Sequence, residues 1–516
     1  MKTTPETTTR KPHTARAAEP RTPFFERRER SIIIVLCALA ALRILVYSAA
    51  FPVFTNIDEQ LHFDTVCRYA DFQLPRGVDP LCPEARAMAV AFGTTEYTAA
   101  MQDYAAARPL WTLPREDALP RFNYGMKAYE NIANIEATQP PVYYAIGGIW
   151  YDAGKMLGLR GGILLHWLRS LNALVCALVV WLSYMFARRF FPTNSLVRLC
   201  VPLMVAFFPQ DVFYCINNDV MCPLFFGAAF YCLLLVHLEP QRSLKFHAGA
   251  GLLVAAAFLV KYSNVAILAA LAAVILTAFW SARRSRGLRA EVTRLALLAL
   301  GAAAPIAAWL VRNRLVFGDF TGSGAEIAKL GWTLKPLTRV LDHPIFTPAG
   351  LITFSNELTA RFWRGELVWH ARPLSYVGTD LLYVATSVLF LTAALTALLI
   401  RRRKLGEAER ASLELSAVVV AISVLFMMGL SIAYDFGGCM SPSRAHPFFT
   451  HGRRISGTLI PFLLLYVTGL DALLGRKRNL AIGFGILLLI ACIATVSQVF
   501  LSLDALRSAY NLFHML

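Results

Sequence analysis

The chain has 516 residues, 57% of them hydrophobic and only 16% charged, against about 25% charged in an average soluble domain, which excludes an ordinary water-soluble globule. Its net charge of +17 would suit nucleic acid, but the basic residues stand in short clusters between apolar runs of about twenty residues, the length that crosses a bilayer core. The composition is that of an all-α polytopic membrane protein, with membrane lipids rather than nucleic acid as its surroundings.

Residues 1–31 are polar, rich in Pro and Thr and without an apolar core, and they are expected to form a disordered cytoplasmic tail rather than a cleaved signal. The run 32–51 follows Arg27, Arg28 and Arg30 and has no matching cluster after it, so the first helix is predicted to emerge outside. Later apolar runs lie at about 163–187, 196–216, 219–238, 247–261, 264–280, 295–315, 378–400, 413–433, 455–473 and 480–501. Basic clusters at Arg188–Arg189, Arg242 with Lys245, 283–289, 401–404 and 476–478 fall at alternate junctions. The pattern predicts about eleven transmembrane helices in one domain, 32–516, with a cytoplasmic N-terminus and an outside C-terminus.

The segment 139–158 breaks the count. As a further span it would place every later basic cluster outside, and Asp152 and Lys155 would be costly in lipid. It reads as an interfacial or re-entrant helix started by Pro140–Pro141. The outer face then carries the bulk: a first outer loop at 52–162, a second at 318–376 and a third at 434–454. Loops of this length between packed helices usually carry function. The ten cysteines include no paired CxxC, which argues against structural zinc; Cys67 and Cys82 share the first outer loop, and a disulfide between them is left open.

Polar motifs gather on the same predicted face. Asp58, Glu59 and His62 follow the first helix, and Gln139 starts the interfacial one. Arg169 stands near the outer end of the second span, Asn218 and Asp219 in a turn, and Lys261 in another. Arg312 closes the seventh span, while Arg453 and Arg454 open the tenth. Cations on this side run against the positive-inside rule, and an anionic ligand would favour them, since guanidinium forks match phosphate oxygens. Taken singly, the same residues read as headgroup or Asp partners, Asp58–Glu59 as solvated surface, and Asp219 as a helix cap. Glu59 and His62 have i, i+3 spacing, but no convincing metal ligand set is present; no cofactor is assigned and a divalent ion is left open.

In order along the chain, DEQLHF (58–63), QPPVYY (139–144), NND (217–219), VKYSN (260–264), RNRLVFGD (312–319) and HGRRISGTLIPF (451–462) resemble bacterial GT-C glycosyltransferases. These are membrane enzymes that use polyprenyl-phosphate sugars, similar to the protein O-mannosyltransferase and lipid A aminoarabinose transferase branches. The resemblance covers residues 30–500. It implies that Asp58 is the catalytic base, with Glu59 completing an acidic pair and Asp219 a second essential acid. The family's Lys-Pro-Pro or His-Pro-Pro reads Gln139–Pro140–Pro141 here, which shifts a cationic role to Lys261, Arg312 or Arg453. On this reading Lys261, Arg312, Arg453 and Arg454 bind the donor phosphate, and His62, Gln139, Arg169 and Asn218 contact substrate.

The expected partners are a polyprenyl-phosphate-sugar donor and a glycan, lipid or protein acceptor, at the outer face of a bacterial inner (cytoplasmic) membrane. A single displacement needs one base, so inversion follows. The competing readings are a transporter or flippase, and a polymerase or ligase, of lipid-linked saccharides. Transporters carry ionisable residues near the midplane; the clear mid-span charge here is Arg43.

Overall fold

The computed structural model describes residues 24–101, 108–283, 288–438, 441–475 and 479–515. Residues 1–23 of the expected tail, residues 284–287 of the third basic cluster and all of 476–478 lie outside them. Residues 24–31, expected in the tail, instead begin the first helix.

The helices in chain order begin with α1 (Phe24–Ala50), α2 (Glu59–Ala70), α3 (Pro83–Phe92), α4 (Arg115–Ala128) and α5 (Val142–Met156). There follow α6 (Gly161–Phe190), α7 (Ser195–Ala206), α8 (Cys222–Leu238), α9 (Leu244–Val260), α10 (Ala266–Ala282) and α11 (Leu288–Phe317). Two helices, α12 (Ser323–Lys329) and α13 (Pro348–Arg364), lie in the loop 318–376, and α14 (Val377–Arg401), α15 (Glu407–Ala433), α16 (Leu459–Leu474) and α17 (Asn479–Leu506) complete the chain. Among the described residues nine helices, those built on α1, α6, α8, α10, α11, α14, α15, α16 and α17, are long and apolar enough to cross a membrane, while α7 and α9 are shorter apolar helices. Together they occupy the eleven expected positions.

The shortened helix α7 corrects the run 196–216. Pro209 has no N–H and disfavours helical geometry at Phe208, so the helix stops at Ala206 and the chain continues as irregular backbone with a 3-10 turn at Asp211–Tyr214. Carbonyls freed inside an apolar bundle need donors. Arg43 donates to the Phe208 carbonyl (2.8 Å), Gln498 to Pro209 (2.8 Å), and Asn172 to Phe213 (3.1 Å) and Cys215 (2.8 Å). The mid-span charge is thereby explained as a cap on a broken helix. The break also holds the loop 318–376: the Asp211 carboxylate accepts from the Leu367 N–H at 2.6 Å and abuts Gly365, whose φ of +94° and lack of Cβ the contact requires.

Helix α9 lies along α11, where a Cβ on Gly251 would meet the Leu298 carbonyl at 2.3 Å. Helix α5 spans about 22 Å at 1.5 Å per residue, short of a bilayer core, and packs on α2 and α6. Trp150 and Trp167 stack at 4.6 Å and exchange indole N–H bonds with each other's carbonyls, and Asp152 pairs with Lys155 at 2.8 Å. Two short antiparallel ribbons complete the fold. β1 (Thr333–Leu334) pairs with β4 (Tyr434–Asp435), joining the loops 318–376 and 434–454, and β2 (Val368–Trp369) pairs with β3 (Arg372–Pro373).

Candidate active site

The chain leaves α1 through a tight turn in which Asp58 adopts the left-handed region, φ 63° and ψ 23°, a conformation disfavoured for a residue with a Cβ and tolerated best by Asp and Asn among them. Its neighbour holds it there. The Glu59 carboxylate accepts the Thr55 N–H (2.9 Å) and the Ile216 N–H (2.8 Å), and it takes a fork of two 2.7 Å bonds from Arg169. The remaining Arg169 N–H groups donate to the carbonyls of Ser48, Phe51 and Pro52. Both side chains are wholly buried.

This corrects two expectations. All five guanidinium donors of Arg169 are engaged within the protein, so it does not contact substrate. Glu59 has its oxygens committed to Arg169 and two backbone amides, so it does not act on substrate either. Together they clamp the end of α1, the start of α2 and the 215–219 segment around Asp58.

Asp219 comes from the break before α8, where Asn217 receives its N–H at 2.9 Å. Its buried carboxylate lies 2.7 Å from the Lys261 amine and 3.8 Å from Arg453. Lys261 points inward because α9 ends at Val260 and residue 261 turns extended, with φ −160°; it also donates to Asn218 at 2.9 Å, and Asn218 reaches Gln139 at 3.5 Å. Arg453, in the 3-10 turn before α16, stands between three carboxylates: Glu366 (3.5 Å), Asp58 (3.7 Å) and Asp219 (3.8 Å). Glu366 is also held by His451 at 2.7 Å. Arg454 lies over the Phe449 ring at 5.1 Å.

Of the carboxylates paired with Arg453, Asp58 is the open one: its side chain is 38% exposed, against none for Asp219 and 9% for Glu366. The walls of the site strip water from Asp58 and raise its pKa, and Glu136 raises it further against the pull of Arg453. His62 is neutral, pushed down to about 3 first by burial and then by the charge of Lys261; its Nδ1 meets the Tyr144 hydroxyl at 2.8 Å and its Nε2 lies 3.9 Å from Glu136. Burial would raise Glu366, but His451 and Arg453 hold it far below the usual carboxylate range.

Asp58, Asp219, Lys261, Arg453, Asn218, Gln139 and His62 thus meet in one region. Arg312 is placed elsewhere, donating to the Pro75 carbonyl and stacking on Trp309 and Phe317 at 4.9 and 5.0 Å. The structure adds residues that sequence reasoning passed over. Glu136 precedes the QPP motif, Glu366 sits in the aromatic stretch RFWRGELVWH, His451 opens the quoted HGRR, and Glu326 lies on α12. Burial raises Glu326 to about 7, and Glu136 and Asp58 add to the shift. Nothing in their spacing marks them, since they are spread over the three outer loops. Among the described residues no three His, Cys, Asp or Glu side chains converge as a metal-binding set. Cys67 and Cys82 stand side by side as free thiols.

No curated protein matches the sequence. Among solved structures, the chain is similar to an oligosaccharyltransferase of Archaeoglobus fulgidus in complex with zinc and sulfate, at 12% identity and a TM-score of 0.47, over 93% of this chain and 53% of that one. It is similar also to ArnT of Cupriavidus metallidurans bound to undecaprenyl phosphate (11%, 0.41, 93% and 74%) and to the arabinosyltransferase EmbB of Mycobacterium smegmatis (11%, 0.40, 97% and 43%). The chain spans about half the length of the archaeal enzyme. The profile of the family described as "Predicted membrane protein (DUF2142)" matches residues 41–438. Matched in this way over well more than half its length, the chain belongs to the DUF2142 family of membrane proteins.

Proposed function

We propose that the protein is a GT-C glycosyltransferase that moves a sugar from a polyprenyl-phosphate donor to an acceptor hydroxyl outside the cytoplasm, with inversion at the anomeric carbon. The observation that carries this reading is the meeting of an accessible carboxylate, Asp58, with Arg453 and Lys261, supplied by segments far apart in the chain. A hydroxyl is a weak nucleophile, and a carboxylate within hydrogen-bond reach accepts its proton as it attacks. Asp58 is that base, and its raised pKa makes it a stronger one.

As the sugar–phosphate bond breaks, charge grows on the leaving phosphate. Fixed cations in a partly dehydrated site stabilise that charge best. Among the described residues no carboxylate lies closer than 3.5 Å to Arg453, so its fork can turn to the phosphate without breaking a tight pair. Asp219 and Asn218 hold Lys261 beside it. Glu59 and Arg169 position Asp58. One carboxylate acts and no covalent enzyme intermediate forms, which gives inversion.

The test is transfer from a panel of radiolabelled polyprenyl-phosphate sugars in membranes carrying equal amounts of wild type, Asp58→Asn or Asp219→Asn. Wild type should transfer one of them, and Asp58→Asn, close to isosteric but not basic, should lose about a hundredfold or more while staying folded. Full transfer by Asp58→Asn refutes the base assignment, and no transfer from any donor by wild type refutes the class.

A further inference from the structure

Beyond the charged cluster, the loops 318–376 and 434–454 line an open cavity of about 360 Å3. Its walls are joined across the sequence. β1 pairs with β4, the His343 Nε2 meets the Pro447 carbonyl at 3.0 Å, and Glu357 takes the Thr450 hydroxyl at 3.0 Å and His446 at 2.9 Å. Tyr434 contributes an aromatic ring to the lining, with Phe436 buried behind it, and Lys335, Arg339 and Arg444 contribute cations.

Arg444 is matched by Asp435 at 3.3 Å. Among the described residues no carboxylate is in ion-pair contact with Lys335 or Arg339, and Asp342 lines the same space without reaching either. Burial holds the Lys335 amine below its ordinary range, and Arg339 adds to this against Asp435, so an anion brought here would be favoured by both cations. A chain of packed rings links the cavity wall to the reaction site. Trp332, next to β1, meets Phe436 at 5.0 Å and Phe449 at 5.9 Å edge-on, and Phe449 meets His451, the partner of Glu366.

Resting on the transfer reading above, we infer that this cavity holds the acceptor and that the acceptor is an anionic saccharide, its sugar ring against Tyr434 and its carboxylate or phosphate between Lys335 and Arg339. Aromatic faces take the apolar face of a sugar, and ammonium and guanidinium groups make charge-assisted bonds to either anion. Neither group alone selects this class of ligand. The combination does.

The experiment is equilibrium binding of tri-galacturonate, glucose 6-phosphate and the neutral maltotriose to the purified full-length chain in detergent. At least one charged saccharide should bind, with maltotriose about tenfold weaker or worse; which one binds separates a carboxylate from a phosphate ligand. The pair Lys335→Gln with Arg339→Gln should lose about tenfold or more, the loss expected from one or two charge-assisted bonds. Lys335→Arg with Arg339→Lys should retain most of the affinity. Equal binding of charged and neutral saccharides, an unchanged affinity in the Gln pair, or no binding of any of the three overturns the inference. Charged-saccharide binding without sugar transfer from any donor would leave the cavity assignment standing and remove the transfer reading. Transfer with an acceptor KM indifferent to the Gln pair would do the reverse.

Discussion

Asp58 and Glu59 are adjacent carboxylates whose environments divide their work. Glu59 is locked by Arg169 and two amides, whereas Asp58 faces the open site with a raised pKa. A general base acts when deprotonated, so kcat/KM for transfer should climb with pH through a midpoint above the ordinary Asp value of about 3.9. Glu136 is part of what raises Asp58. Glu136→Gln should therefore move that acidic limb to lower pH, and a limb that stays in place or moves upward would count against the electrostatic account. Glu326 adds a stability term. Its carboxyl is raised from 4.5 to about 7 on folding, so the stabilisation it contributes is full below about 4.5 and lost as pH rises through about 7. Thermal stability in detergent should fall between pH 5 and 8, and fall less in Glu326→Gln.

The elements that present these side chains are interrupted rather than regular. Helix α7 stops before Pro209, the chain re-enters helix at α8, and α9 yields to an extended residue at Lys261. Each break turns a polar group inward, and each needs its freed backbone groups satisfied: Arg43, Asn172 and Gln498 do so after α7, and Asn264, donating to the Ala257 carbonyl at 2.8 Å, does so at the end of α9. Arg43 is therefore accounted for without a transport pathway. The clamp of Glu59 and Arg169 is the critical joint. Removing one partner of a buried ion pair leaves an unpaired charge and costs about 3–5 kcal/mol. Glu59→Gln should lower the unfolding temperature in detergent strongly, and the joint replacement Glu59→Met with Arg169→Met should recover part of the loss. A Glu59→Gln variant as stable as wild type would show that the pair does not hold the turn.

At the scale of the whole molecule, the site gathers at one end of the helical bundle, where the long loops 52–162, 318–376 and 434–454 pack against one another through β1–β4 and through Asn56, which accepts the Val368 N–H at 3.0 Å. On the proposed function that end faces outside the cytoplasm, the orientation expected from the alternation of basic clusters. With the ten cysteines replaced, a single cysteine at Ala118 on α4 should react with an impermeant maleimide in intact cells. One at Gly406, between α14 and α15, should react only after permeabilisation. The opposite pattern would invert the orientation and with it the proposed side of catalysis.

The helical plan was legible in the sequence because apolar runs of fixed length and basic junctions are local signals that a bilayer imposes. The eleven apolar positions and the short helix α5 follow from them. Asp58, Asp219, Lys261 and Arg453 were legible as well, each marked by a short polar motif at the end of an apolar run. Local pattern could not separate Asp58 from Glu59, withdraw Arg169 from substrate or set Arg312 apart, because each depends on partners more than a hundred residues away. Glu136, Glu326, Glu366 and the cavity between two loops carry no spacing of their own. Only the tertiary structure decided them, since burial, pairing and pKa are properties of what packs around a side chain and not of its neighbours in the chain.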